Sequence, residues 1–261
     1  MVFRQAVTEV FNGAKAYQQK AVVQQRVAGR LAEQLGDLAL ADQPQILEIG
    51  CGTGFLSKHL INLWPGSRLL CTDIAPEMLA RCQTQLAKMD SELIDFQVMD
   101  GENIPGDETF DLIVASLVFQ WFLDPLGNLQ KLVKRLKPGG RLVFVTLGPE
   151  TFVEWRQFCS KYQLACGLHD YPSGDDWQQG WPQGGVGQVV EERIVEEYPS
   201  PQFFLKGLKE IGTALSPASH KPVSAFEMRR ALHSYAEENK NFSITYHLIF
   251  AGFLKTNLDN N

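Results

Sequence analysis

The sequence predicts a doubly wound α/β protein with a mostly parallel sheet. Strand-like and helix-like segments alternate regularly over residues 41–148 of the 261-residue chain. Most of the strand-like segments are nearly continuous apolar runs, which is typical of parallel strands covered by helices on both faces. A glycine-dense turn joins the first of these strands to the next helix, and glycine lets a ligand approach the backbone closely because no Cβ intervenes.

The individual elements follow from apolar spacing and from the positions of glycine and proline. Residues 17–36 have apolar side chains at helical spacing and end at Gly36, a frequent residue type just after a helix. Pro76 suits the first turn of a helix, and residues 137–140 are expected to end a helix and turn the chain. We expect strands at 45–49, 68–73, 93–98, 110–115 and 141–147, and helices at 54–63, 76–89 and 125–136.

The pattern is less regular after Gly148. Residues 167–188 hold six glycines, two prolines and two tryptophans, which predicts a long loop or a lid. Beyond this segment we expect a strand near 188–197, helices at 200–211 and near 223–238, and a last strand at 243–254.

Composition and charge argue against several classes of protein. The net charge of −6 is unlike that of a dedicated nucleic-acid binder. No apolar run is long enough to span a bilayer, and no signal region is visible at the N-terminus. The five cysteines form no CxxC pair, so we expect free thiols and no metal site. We therefore expect a soluble, cytoplasmic, monomeric protein without nucleic-acid or membrane partners.

The glycine turn follows the first predicted strand and reads ILEIGCGTGFL over residues 46–56. A dinucleotide-binding turn of the form G-x-G-x-x-G would need a glycine at position 55, where the chain has Phe55. The glycines are instead Gly50, Gly52 and Gly54, in the pattern E-x-G-x-G-x-G. Because the turn leads into a helix N-terminus with free N–H groups, it favours an anionic or polar ligand.

Three further features follow in register with the turn. Asp73 ends the second strand about 20 residues later, where a carboxylate can accept from ribose hydroxyls. Asp100 and Gly101 follow the third strand, which suits a carboxylate that accepts from an adenine amine. The segments FDLIVAS (110–116) and LKPGG (136–140) come next. Together these four motifs resemble those of class I S-adenosylmethionine-dependent methyltransferases.

This resemblance implies a seven-stranded, mostly parallel, Rossmann-like methyltransferase sheet with a helical lid inserted after the fifth strand. It implies S-adenosyl-L-methionine as the cofactor. The residues expected to bind the cofactor are Tyr17, Glu48, Gly50, Gly52, Gly54, Asp73, Ile74, Asp100, Gly101 and Ser116. Two of these assignments have an alternative, since Glu48 could instead organise the turn and Tyr17 could equally be a core residue.

Segments outside the glycine turn resemble more closely the malonyl-acyl carrier protein O-methyltransferases of biotin synthesis. The similar segments are FNGAKAY (11–17), SLVFQW (116–121), LKGLKEIG (205–212) and TYH (245–247). The resemblance implies methyl transfer to the free carboxylate of a malonyl group on acyl carrier protein. A carboxylate is ionised at neutral pH, so we expect no general base, and the five histidines form no motif-like cluster. The residues expected on the substrate side are Tyr17, Gln120, Trp121, Lys206 and Lys209.

Other functions stay open on the sequence alone. The same cofactor-binding residues would serve a methyltransferase for a small free carboxylic acid or a quinone precursor. They would also serve an assembly factor that binds the cofactor without methyl transfer. Gln120 and Trp121 could be packing residues, and Lys206 and Lys209 a solvated helix face. We interpret the chain as one methyltransferase domain, with cap helices at 1–40, a cofactor-binding core at 41–148, a lid and late sheet elements at 149–240, and a last strand and tail at 241–261.

Overall fold

The computed structural model of this protein describes residues 2–89, 93–217, 220–239 and 241–256. The helices are α1 (Val2–Gly13), α2 (Tyr17–Lys20), α3 (Val22–Gly36), α4 (Phe55–Leu63), α5 (Pro76–Leu86), α6 (Pro125–Lys134), α7 (Val153–Lys161), α8 (Gly174–Gly180), α9 (Pro201–Glu210) and α10 (Ala225–Glu238), with a 3₁₀ turn at Phe119–Trp121. The strands are β1 (Gln45–Ile49), β2 (Arg68–Asp73), β3 (Ile94–Val98), β4 (Phe110–Ser116), β5 (Leu136–Leu147), β6 (Gly185–Tyr198) and β7 (Phe242–Lys255). None of the described helices is long and apolar enough to cross a membrane.

The strands form one seven-stranded sheet in the order β3-β2-β1-β4-β5-β7-β6. β1 pairs in parallel with β2 and β4, β3 pairs in parallel with β2, and β5 pairs in parallel with β4. The first five strands therefore run in the same direction and end at one edge of the sheet. The strand order reverses between β1 and β4, which is where doubly wound sheets bind ligands. The mostly parallel Rossmann-like sheet predicted from the sequence is confirmed, whereas the lid stays a prediction.

The chain divides into two compact units. Unit 2 comprises Ala21–Thr146, Ser173–Val190 and Ile249–Asn261. Its core includes apolar side chains of β1, β4 and β5, such as Leu47, Ile113 and Phe144. These strands are nearly continuous apolar runs because helices cover the central strands of a doubly wound sheet. Trp177 from α8 belongs to the same core and is fully buried.

Unit 1 comprises Met1–Lys20, Leu147–Pro172 and Glu191–Leu248. Aromatic rings from α7 and the residue before it, from α9, from α10 and from β7 pack together in it, and several of the pairs meet edge to face. The rings of Trp155 and Phe158 stack with their centroids 5.0 Å apart. Burial of large rings is the main source of stability for such a unit.

Several sequence predictions about element boundaries are wrong. The predicted helix 17–36 is broken at Ala21 into α2 and α3. β5 begins at Leu136 rather than at residue 141, because residues 137–140 continue the strand after a register shift in its pairing with β4. The segment 167–188 is not one long loop, since it contains α8 and the start of β6.

Candidate active site

The glycine turn leaves β1 with backbone angles that favour glycine. The φ angles are +66° at Gly50, +55° at Gly52 and +89° at Gly54, all in the left-handed region. A Cβ at Gly50 would overlap the side chain of Val118, so this position also needs glycine for space. The turn is anchored to β2 by the Cys51 N–H, which donates to the carbonyl of Thr72 over 2.8 Å. The spacing of the three glycines therefore reflects the backbone path, as the sequence predicted.

Asp73 ends β2 directly beside this turn. One carboxylate oxygen accepts from the backbone N–H of Gly52 over 2.9 Å, and the other accepts from that of Ala75 over 2.8 Å. Burial raises the pKa of Asp73 to about 6, although the hydrogen bonds from Ala75 and Gly52 oppose the shift. A carboxylate has about four lone-pair positions, so Asp73 keeps acceptor capacity for a ligand.

Glu48 lies inside unit 2 behind the glycine turn. Its carboxyl accepts from the Ser57 hydroxyl over 2.5 Å and from the Cys71 thiol over 3.7 Å, and the residue is 1% exposed. Burial raises the pKa of Glu48 to about 8. These contacts join β1 to β2 and α4, which is the arrangement expected of a residue that organises the turn.

Asp100 and Gly101 follow β3, next to the end of β2. The backbone N–H of Met99 donates to the carbonyl of Asp73 over 2.9 Å, which brings the two acidic residues to the same edge. The Asp100 carboxylate accepts from the N–H of Glu102 and from the side-chain amide of Asn103. A Cβ at Gly101 would overlap the side chain of Ile49. Glycine is required here because the loop after β3 passes directly over β1.

The segment after β4 is fixed by Gln120. Its side-chain N–H donates to the carbonyl of Leu117 over 2.8 Å, and its amide oxygen accepts from the Thr146 hydroxyl over 3.1 Å. Leu117 has a φ of +56°, which is rare for leucine, so the backbone here is strained and is held by its neighbours. Both polar groups of Gln120 are thus used inside the protein. Trp121 ends the same 3₁₀ turn, which follows Ser116 by three residues.

Thr53 is a residue of the glycine turn that the sequence analysis did not single out. It is 1% exposed, and its buried hydroxyl oxygen has no hydrogen-bond partner among the described residues. An unpaired buried hydroxyl costs free energy, and a ligand that bonds to it would remove that cost. The signal in the sequence was a hydroxyl-bearing residue between two glycines of the turn.

The remaining predicted site residues, Tyr17, Lys206 and Lys209, belong to unit 1. Tyr17 begins α2 and meets Phe11 edge to face, with the ring centroids 6.3 Å apart. α2 contacts α9, which carries both lysines. The Lys206 side chain is 72% exposed and lies 3.8 Å from Glu210, and Lys209 is exposed.

His247 in β7 is the most enclosed histidine that the structure describes, and both of its nitrogens have partners. Nδ1 accepts from the backbone N–H of Glu150 over 3.3 Å, so in a neutral ring Nε2 carries the hydrogen. Nε2 lies 2.9 Å from a carboxylate oxygen of Glu191. A Cβ at Gly148 would lie 2.7 Å from the ring, so the imidazole packs directly on the backbone of the chain after β5. These contacts suit a structural role.

Within the described ranges, no group of three or more His, Cys, Asp or Glu side chains could hold a metal ion. The edge of unit 2 instead fits a polar ligand that approaches the backbone closely. It offers a glycine turn without side chains in its path, the unpaired Thr53 hydroxyl, and the carboxylates of Asp73 and Asp100.

Comparisons with known proteins agree with this geometry. Residues 47–144 match the methyltransferase domain family. The malonyl-acyl carrier protein O-methyltransferase of Magnetococcus marinus is 45% identical over 249 residues, which cover 95% of this chain and 92% of that protein. The biotin biosynthesis bifunctional protein BioCD of Bordetella avium is 35% identical over 93% of this chain, which spans 50% of that longer protein.

The fold also occurs in solved structures. A Bacillus halodurans structure provisionally described as a methyltransferase has a TM-score of 0.62 and 15% identity, and the match covers 88% of this chain and all of that one. The methyltransferase domain indicates S-adenosylmethionine as the cofactor, which confirms the prediction from the glycine turn. The protein is a methyltransferase, and its similarity to the Magnetococcus protein extends over nearly the whole chain. The chain therefore belongs to the family of malonyl-acyl carrier protein O-methyltransferases.

Proposed function

We propose that this protein methylates the free carboxylate of a malonyl group carried by acyl carrier protein, in the biosynthesis of biotin. The observation that carries the proposal is the 45% identity to the Magnetococcus enzyme over 95% of the chain. The glycine turn alone indicates only the methyl donor and not the acceptor. The similarity extends beyond that turn, over the segments of unit 1 on which acceptor choice would depend.

The cofactor half of the proposal uses the residues at the edge of unit 2. The glycine turn and the Thr53 hydroxyl would hold the amino-acid end of S-adenosylmethionine, Asp73 the ribose hydroxyls, and Asp100 the adenine amine. When bound, this cofactor supplies an electrophilic methyl group. Glu48, whose carboxyl is enclosed by Ser57 and Cys71, acts in this proposal as the organiser of the turn.

The chain's own residues act by positioning and by excluding water. The acceptor carboxylate is ionised at pH 7, so no side chain has to remove a proton from it. Gln120 holds the backbone after β4 in a fixed shape. A rigid segment beside the acceptor reduces the entropy lost at the transition state. Water excluded from the carboxylate leaves it a stronger nucleophile.

The proposal is tested with methyl-labelled cofactor and a set of acceptors. Purified protein is incubated with malonyl-acyl carrier protein, malonyl-coenzyme A, free malonate and a quinone precursor, and label transfer is measured by mass spectrometry. A methyl ester on the carrier-bound malonyl group is expected. Transfer only to a free acid or a quinone would overturn the choice of acceptor, and cofactor binding without any transfer would favour an assembly factor.

The affinity for S-adenosylmethionine should depend on pH through Asp73. The unliganded pKa of Asp73 is about 6, and ribose hydroxyls that donate to the ionised form lower this pKa in the complex. Binding below pH 6 must therefore release a proton. The affinity for S-adenosylmethionine falls as the pH decreases below 6, by up to about tenfold per pH unit, and it is level above pH 6. Titration calorimetry from pH 4.5 to 8.5 measures this. The Asp73→Asn variant should lose the dependence below pH 6, and an equal dependence in that variant would exclude Asp73 as its cause.

Charge reversal at Lys206 and Lys209 should impair use of an acidic carrier. Carrier proteins of this type are acidic, and exposed lysines raise the encounter rate with an acidic partner. At low salt, the double Lys→Glu variant should lower kcat/KM for malonyl-acyl carrier protein about tenfold, and high salt should shrink the difference. With malonyl-pantetheine, which lacks the carrier, kcat/KM should change little.

The matched control is the pair Lys131 and Lys134, which are also exposed and three residues apart on one helix. Their reversal should leave kcat/KM for the carrier substrate within about twofold of the unmodified protein. Equal losses in the two double variants would show a general effect of net charge and remove the two α9 lysines from carrier recognition.

A further inference from the structure

Glu102 is a buried carboxylate between the loop after β3 and the segment after β4. It follows Asp100 and Gly101 in the chain and is 5% exposed. One of its carboxylate oxygens accepts from the backbone N–H of Leu123, and the other accepts from that of Asp124, each over 3.1 Å. Hydrogen bonds of this kind offset the lost hydration of a buried carboxylate. The contact joins two segments that lie 21 and 22 residues apart in the chain.

Leu123 and Asp124 connect the 3₁₀ turn Phe119–Trp121 to α6. Asp124 is the N-terminal cap of α6, so both N–H donors lie at a helix end where the dipole favours negative charge. A carboxylate that accepts from both N–H groups fits this position better than a neutral side chain of the same size. The Glu102 side chain therefore holds the chain between the 3₁₀ turn and α6 against the loop after β3.

The loop that carries Asp100 has anchors that do not depend on the Glu102 side chain. The Asp100 carboxylate accepts from the backbone N–H of Glu102 over 3.0 Å and from the side-chain amide of Asn103 over 2.7 Å. The side-chain amide of Asn128 donates to the carbonyl of Gly101 over 3.2 Å. Loss of the Glu102 carboxylate should therefore loosen the segment before α6 more than the loop after β3.

We propose that Glu102 is a positioning residue for methyl transfer. The inference rests on the proposed function, in which Asp100 faces the cofactor and Gln120 and Trp121 face the acceptor. The Glu102 carboxylate ties the segment that follows Trp121 to the loop that carries Asp100, so the acceptor surface keeps one position relative to the bound methyl donor. Methyl transfer depends on this alignment, because a misplacement of about 1 Å can lower a rate about 100-fold.

The test replaces Glu102 with glutamine, which keeps the size of the side chain but puts an NH₂ group opposite one of the two backbone N–H groups. With the acceptor that the labelled-cofactor assay identifies, kcat of Glu102→Gln should fall at least about tenfold. The dissociation constant of S-adenosylhomocysteine, measured by titration calorimetry, should change by no more than about threefold, because the Asp100 loop keeps its own anchors.

Amide hydrogen exchange tests the contact without any acceptor. In Glu102→Gln, the N–H groups of Leu123 and Asp124 should exchange at least about tenfold faster, as measured by NMR. The matched control is Glu108, an exposed glutamate in the same connection between β3 and β4. Glu108→Gln removes the same charge and should leave both kcat and these exchange rates within about twofold of the unmodified protein.

A double variant tests whether Glu102 acts on the segment that Gln120 also holds. Gln120→Met removes the hydrogen bonds to Leu117 and Thr146 while keeping the length of the side chain. Residues that fix one segment have coupled effects, so the double variant should lose less kcat than the product of the two single losses. Losses that simply multiply would show that Glu102 acts elsewhere and would overturn the proposal.

Circular dichroism checks that Glu102→Gln is folded at the assay temperature. If it is not, Glu102→Asp, which keeps the charge but is one methylene shorter, should show the same loss of kcat with retained affinity for S-adenosylhomocysteine. Unchanged kcat would overturn the proposal, and an equal loss of affinity and kcat would instead place Glu102 in cofactor binding. If the unmodified protein methylates no acceptor, the proposed function fails as well, whereas transfer that Glu102→Gln does not slow overturns this inference alone.

Discussion

The Asp73→Asn variant should bind S-adenosylmethionine at least about 100-fold more weakly than the unmodified protein while keeping its fold. The proposed role of Asp73 is to accept two ribose hydroxyls, and each hydrogen bond to a charged group contributes about 1.5 kcal/mol or more. Loss of two such bonds, about 3 kcal/mol, corresponds to about 100-fold in the dissociation constant. The new amide N–H would also face an N–H of the turn, since Gly52 now donates to the carboxylate. Titration calorimetry above pH 7 measures the effect.

Asp95 provides the matched control for this substitution. It is an exposed aspartate in β3, the strand next to β2, where it is paired with Leu70. Asp95→Asn removes the same charge from the neighbouring strand β3, three residues before that strand ends, and should leave cofactor affinity within about twofold. Asp73 would lose its assigned role if both variants bound the cofactor as tightly as the unmodified protein.

The central strands were predictable because each is a short apolar run between polar residues. β1 and β2 have the predicted bounds, and β4 is one residue longer than predicted. Because β1 and β2 are parallel and end at one edge of the sheet, Asp73 lies beside the glycine turn. The start of β5 was wrong because Pro138 and two glycines suggest a turn. In the structure, Gly139 takes a φ of +76° within the strand.

The site was predictable only where local sequence determines the backbone. The glycine turn needs its three glycines for backbone angles, so their spacing is visible in the sequence. Gln120 was predicted on the substrate side, but its amide bonds to Leu117 and to Thr146, which lies 26 residues away. No local pattern encodes a partner at that distance. The position of Thr53 between two glycines is visible in the sequence, but only the folded structure shows that its hydroxyl is buried and unpaired.

The segment 167–188 shows most clearly how far local sequence can predict structure. α8 has seven residues, and Trp177 is its one large apolar side chain, so it shows no helical periodicity. Its start does carry a local signal, because Ser173 and Asp176 form a capping box, with Asp in place of the usual Glu or Gln. Tertiary packing of one tryptophan, rather than helix propensity, keeps this short helix in place.

Trp177→Ala should lower the free energy of unfolding by about 3–5 kcal/mol, the usual cost of removing a fully buried large ring. The ring meets Phe144 edge to face with centroids 4.9 Å apart, and Phe119 likewise at 5.7 Å. Phe119 begins the 3₁₀ turn that contains Gln120, so the cavity would open directly behind the segment after β4. Urea denaturation followed by circular dichroism measures the loss without depending on tryptophan fluorescence.

The control for Trp177→Ala is the removal of an exposed aromatic ring. Phe226 in α10 is 74% exposed, and its replacement by alanine should change the free energy of unfolding by no more than about 0.5 kcal/mol. If α8 were part of a mobile lid, Trp177→Ala would behave like Phe226→Ala and affect only turnover. If the Trp177 ring is instead part of the core, as its full burial indicates, Trp177→Ala lowers the free energy of unfolding. In that case kcat/KM falls with it, because Phe119 loses the contact that holds the Gln120 turn against β5.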